Sequence, residues 1–139
     1  MKAMLLGVMF LAGSSLLPAQ TGNRLEADVP FAFEMADLKL PAGEYKVMEG
    51  CLAGCMMVQN RKEYMAAFSL RSAILNFGPH SGTELQLVFN KYGDRYFLAE
   101  IWTPIMAQQL MKSKSERALV TSKLITAVPE RVIILARAF

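Results

Sequence analysis

Residues 83–103, TELQLVFNKYGDRYFLAEIWT, decide the fold class. On either side of Lys91-Tyr92-Gly93-Asp94-Arg95, apolar and polar residues alternate with period two, the repeat of a strand whose side chains point to opposite faces. Residues 83–90 and 96–103 are therefore expected to form a β-hairpin, with Gly93 and Asp94 as turn residues. A slip of one residue would exchange the faces of one strand, so the pattern also selects a register. Pairing Lys91 with Arg95 across an odd-numbered loop gathers Leu85, Leu87, Phe89, Phe97, Ala99 and Ile101 on one apolar face. A loop of even length would instead set Glu100 beside Leu85 and Leu87. In the odd register the opposite face carries Glu84, Gln86, Val88, Asn90, Tyr96, Leu98, Glu100 and Trp102.

The same alternation runs through residues 25–35, where Leu25, Ala27, Val29, Phe31, Phe33 and Met35 take the odd positions. Pro30 lacks the ladder donor, so it places this strand at a sheet edge or marks the point where the chain passes between sheets. Pro41-Ala42-Gly43 reads as a turn, after which residues 44–49 should pair back on their predecessor. Further strands are expected at 55–60 and 64–70, then a long loop over 71–82 containing Gly78-Pro79 and Ser81-Gly82. Ser113-Lys-Ser-Glu116 fits a capping box, which predicts a short helix near residues 114–122. Val132-Ile-Ile-Leu135 predicts a final strand covered on both faces. The fold class is all-β: a small antiparallel β-sandwich or barrel of about seven or eight strands with one short helix.

Met1 to Ala19 has a basic start at Lys2, an apolar run and a small-residue exit, the pattern of a signal peptide. The run is broken by Gly13, Ser14, Ser15 and Pro18, well short of the roughly 20 apolar residues of a membrane span. Cleavage is expected after Ala19, leaving residues 20–139 as a single exported domain, periplasmic or extracellular. Leu17 stands where a smaller residue is usual, which keeps an uncleaved anchor as the alternative. Hydrophobic residues make up 53% of the chain, which excludes disorder. Loss of Lys2 leaves 14 basic against 12 acidic residues, scattered without a basic stripe, so no nucleic-acid partner is expected.

VPFAF at 29–33, LPAGEYKV at 40–47, LVFNKYGDRYFLAEIW at 87–102 and KSKSER at 112–117 together resemble a group of short exported bacterial proteins of unassigned function. The resemblance implies a signal peptide and a small β-rich domain, and it carries no active site. The segment from Cys51 to Cys55 departs from that group.

Export favours a disulfide between Cys51 and Cys55, which flank a three-residue turn. Met56 and Met57 follow directly and suit a soft metal, yet adjacent strand residues point apart, so only one of them can join the cysteines. No metal and no cofactor is expected. His80 sits in a loop beside Ser81 without a G-x-S-x-G context, and Glu84 with Glu100 is the one carboxylate pair on a shared predicted face. Tyr96, Leu98, Glu100 and Trp102 form the candidate ligand face, because aromatic rings beside polar groups make platforms for sugars, peptides or lipid-like ligands. The alternative is that the helix or the last strand covers them as a second core layer. The expected function is a non-catalytic binding module. The second reading is a structural or assembly protein of the envelope that uses the 25–35 strand as its contact surface. An enzyme ranks third, since only the acid pair offers it a route.

Overall fold

The structure, a computed structural model, describes residues 24–50, 52–77, 85–103, 106–122 and 128–139. The expected signal peptide and its cut, together with Cys51, His80, Ser81 and Glu84, lie outside those residues. In chain order the elements are β1 (Leu25–Val29), β2 (Phe33–Met35), β3 (Leu38–Leu40), β4 (Gly43–Glu49), β5 (Cys55–Asn60) and β6 (Met65–Phe77). They continue with β7 (Gln86–Tyr92), β8 (Arg95–Trp102), β9 (Met106–Leu110), α1 (Lys114–Thr121), β10 (Glu130–Leu135) and β11 (Arg137–Ala138). The chain is mostly β with one short helix, as the alternation predicts.

Two sheets face each other. One has the order β11-β1-β4-β5-β6 and the other β6-β9-β8-β7-β10. β6 belongs to both: residues 65–70 pair with β5, and from Arg71 onward it pairs with β9. Only Ala136 separates β10 from β11, which pair with β7 and β1 respectively. The two sheets are therefore joined at one corner by β6 and at the other by the chain running through Ala136 from β10 to β11, the outline of a flattened barrel. The described residues form eleven strands where about seven or eight were expected, the surplus being the short β2–β3 hairpin, the unforeseen β9 and the break at Ala136.

Pro30 ends β1 and delivers the chain to the second sheet, where β2 pairs with β3 and, in parallel, with β8 at Glu34↔Phe97. The alternation survives the crossing, since Leu25, Ala27, Val29, Phe33 and Met35 are all buried. β1 pairs along its length with β4 and, at Leu25 and Glu26, with β11 on its other side, so the start of this strand is not an edge. β4 pairs with β1 rather than with the preceding strand; β3 is held instead by β2, through a turn at Ala36 and Asp37. Both turn residues have left-handed φ, 51° and 64°, the geometry of a tight hairpin turn that usually advertises itself by glycine. Residues 71–77, expected to open a long loop, hold neither glycine nor proline and instead continue β6.

The β7–β8 hairpin corrects the expected register. Its turn has two residues, Gly93 and Asp94, with Tyr92↔Arg95, Lys91↔Tyr96 and Phe89↔Leu98 opposite each other. An extra residue, Ala99, then bulges from β8, and beyond it Val88 faces Glu100, Leu87 faces Ile101 and Gln86 faces Trp102. The odd residue needed to keep Glu100 away from Leu87 sits in the strand instead of in the loop. The inner face thus carries Leu87, Phe89, Leu98 and Ile101, which join Val29, Tyr45, Val47, Met56 and Val58 of the facing sheet in one core. Burial of each such side chain is worth about 1.5–3 kcal/mol.

α1 starts as predicted: Ser113 Oγ accepts from the Glu116 N–H at 3.2 Å. The carboxylate of Glu116 does not fold back on the cap. Its Oε1 accepts from Asn90 Nδ2 at 3.0 Å and from the Tyr92 hydroxyl at 3.1 Å, which pins the helix to the outer side of β7. Asp37 adds a second cap from the β2–β3 turn, accepting from Ser115 N at 3.0 Å and Ser115 Oγ at 2.9 Å. β10 is not covered on both faces, for Ile133 and Leu135 are exposed while Val132 and Ile134 are half-buried.

Candidate functional site

The Ala99 bulge separates the four residues expected to form a ligand face. Tyr96 and Leu98 turn inward. Leu98 is a core residue, and the Tyr96 ring stacks on Phe31 with centroids 3.8 Å apart. Phe31 in turn meets the edge of Phe89 at 5.0 Å, and Lys91 Nζ lies 5.4 Å from the Tyr96 centroid. Glu100 and Trp102 stay on the outer face, where one carboxylate oxygen, Oε2, accepts from Trp102 Nε1 at 2.8 Å and from Arg131 Nη2 at 3.0 Å. Two of the four therefore serve packing and two serve a surface ion pair. They do not assemble a platform.

Cys55 is a free, half-buried cysteine in the structure, and Cys51, its expected disulfide partner, lies outside the described residues. Met57 shares its outward face while Met56 is buried in the core, the division that strand alternation requires. Among the described residues no group of three or more His, Cys, Asp or Glu side chains converges.

A different constellation forms where β6 leaves the first sheet. The Arg71 N–H donates to the Gly54 carbonyl at 2.7 Å, and the same residue stands opposite Leu110 on β9. On β9, Gln108 lies opposite the fully buried Ile101 and so faces the barrel interior, between Met106 and Leu110. Arg71 Nη1 donates to Gln108 Oε1 at 3.2 Å and lies 3.6 Å from Met106 Sδ. That contact fixes the amide orientation, because a guanidinium only donates and must face the oxygen. The other end of the amide, Nε2, is buried and has no hydrogen-bond partner, in a residue that is 1% exposed.

Arg71 takes part in none of the ion pairs among the described residues. Gly54, with φ +79°, lies against the guanidinium, a Cβ there standing 3.5 Å from Nη2, and Arg71 as a whole is half-buried. Ile74 lies opposite Gln108 in register and is 45% exposed, so the rim of the barrel meets solvent just beyond the buried amide. The arrangement is a set of hydrogen-bond donors at an open barrel end, flanked by Ile74 and Met106. Its chemistry is recognition of acceptor oxygens.

Sequence reasoning passed over both residues. Gln108-Gln109 did carry a signal, since in a strand one of two adjacent glutamines must point inward. No family model, no curated protein and no solved structure matches the chain. The class is therefore the one its own fold defines, a small mostly antiparallel β domain shaped as a flattened barrel, with one doubly capped helix.

Proposed function

We propose that the protein is an exported, non-catalytic binding module that takes its ligand at the Arg71–Gln108 end of the barrel. The observation that carries this reading is the buried, partnerless Nε2 of Gln108. A buried donor left unsatisfied costs about 1–3 kcal/mol, which a ligand oxygen would recover. Export rests on the signal pattern of Met1 to Ala19. A Cys51–Cys55 disulfide belongs to the same reading, because it would tie the turn that presents Gly54 to Arg71. The turn is held on one side by the Gly50 N–H donating to the Cys55 carbonyl at 2.6 Å, and on the other by the Gly54 N–H donating to Glu49 Oε1 at 3.1 Å.

Native mass spectrometry of protein purified from its own cell envelope tests the reading. The expected species begins at Gln20, is lighter by two hydrogens for the disulfide, and retains a small-molecule adduct that Gln108→Leu loses. A wild-type protein without an adduct would contradict the binding role, and a mass that includes residues 1–19 would contradict cleavage.

The alternative, a structural or assembly protein of the envelope, finds its support on the outside of the first sheet. There Met48, Met57 and Phe68 stand side by side across three strands, with Phe68 and Leu70 half exposed. It predicts that Phe68→Ser abolishes co-purification with the envelope while leaving the adduct in place.

A further inference from the structure

The charge and geometry of the barrel end restrict what can sit there. We infer that the ligand is a monoanionic amphiphile, a carboxylate head on an apolar chain; this rests on the binding-module reading above. Every polar group offered is a donor: the Arg71 guanidinium and Gln108 Nε2, the Gln108 oxygen being already occupied by Arg71. A sugar hydroxyl can accept from either side chain, but its own O–H finds no acceptor there and it brings no charge to balance the guanidinium. A carboxylate presents acceptors only, and its two oxygens match the fork of a guanidinium and the neighbouring amide.

The cation is half-buried, and its nearest neighbours are an amide, a thioether and a glycine, none of which balances its charge. One guanidinium balances one negative charge, so a carboxylate fits where a phosphate dianion would remain under-compensated beside the buried Gln108. The chain has its own surface. Ile74, 45% exposed, stands opposite Gln108, and Met106 lines the Arg71 side with an adaptable thioether. A head group bound between Arg71 and Gln108 directs its tail along these residues.

Titration calorimetry of the signal-free chain (residues 20–139) with decanoate, decanol, decyl phosphate and acetate tests this. Decanoate is expected to bind at least about tenfold more tightly than decanol, the difference of one charge-assisted contact. Acetate, lacking the chain, should bind far more weakly than decanoate. Arg71→Met should erase the preference for decanoate over decanol, and Arg71→Lys, which keeps the charge without the fork, should restore part of it. Gln108→Leu, close in volume to the native residue, should weaken decanoate several-fold with an unchanged circular dichroism spectrum. Equal binding of decanol and decanoate would overturn the anionic head group while leaving the binding module intact. Tighter binding of decyl phosphate than of decanoate would overturn the single-charge assignment. Failure of wild type to bind any of the amphiphiles would overturn the inference and remove the open barrel end as the ligand site.

Discussion

The two ends of the barrel are finished with opposite chemistry. At the end nearest the Gly93–Asp94 turn, aromatic rings fill the interior: Phe31 on Tyr96, and Phe33 edge-on to Tyr45 at 5.0 Å and to Phe89 at 5.2 Å. Polar groups there are answered locally. The Tyr45 hydroxyl donates to the Pro41 carbonyl, and buried Asn60 accepts from the N–H groups of Lys62 and Glu63 at 3.0 and 3.2 Å. At the end where β8 gives way to β9 stand Arg71, with no counter-ion among the described residues, and Gln108, with an unanswered donor. Native interiors satisfy their polar groups almost without exception, and the Gln108 donor is the exception among the described residues.

Substitutions at the two ends should therefore behave differently. The largest loss is expected from Phe33→Ala at the plugged end, about 3–5 kcal/mol in urea unfolding, because a fully enclosed ring leaves a cavity. A loss below about 1 kcal/mol there would show that this end is not the structural one. Intermediate is Glu116→Ala, which takes the shared acceptor from Asn90 and Tyr92 and should cost about 1–3 kcal/mol while loosening α1. The smallest effect belongs to Gln108→Leu at the open end, within about 1 kcal/mol of wild type in the absence of ligand, since relief of the unsatisfied Nε2 donor offsets the loss of the Arg71 hydrogen bond to Oε1.

Alkaline pH probes the helix seat between the two ends. Burial, then the neighbouring Glu116 carboxylate, pushes the Tyr92 hydroxyl up to about 12. A group whose folded pKa lies above its unfolded value binds its proton more tightly in the native state. Its contribution is complete below pH 10 and is lost as pH rises through about 12. Unfolding curves across that window should fall for wild type, and Tyr92→Phe should flatten the fall. Acid acts on the other cap in the opposite direction. Hydrogen bonds from Ser115, backbone first, hold the Asp37 carboxyl below its ordinary value, so the stability it lends is present above pH 3.8 and fades as pH drops further.

The plugged end was largely legible in the sequence. Odd-position alternation through residues 25–35 named its buried residues, and Pro30 marked the crossing between sheets, because both signals are local. The hairpin was legible only in net parity. The pattern requires one odd residue between Leu87 and Ile101 but does not say whether loop or strand holds it, and placing it at Ala99 sends Tyr96 and Trp102 to opposite sides. The turn at Ala36 and Asp37 carries no glycine to announce it. The open end was not legible, because Arg71 and Gln108 are 37 residues apart and meet only through β6–β9 pairing, a contact no local pattern specifies. Closure through Ala136 is equally non-local.

The side-chain amide of Gln108 gives the most direct test of the open end as a ligand site. Nuclear magnetic resonance of 15N-labelled protein should place its Nε2 protons at shifts typical of a non-hydrogen-bonded amide. Added decanoate should move them downfield, saturably, while the side chains of Asn60 and Gln109 stay in place. A Gln108 resonance that remains unmoved while decanoate binds would contradict the account and put the ligand elsewhere on the molecule.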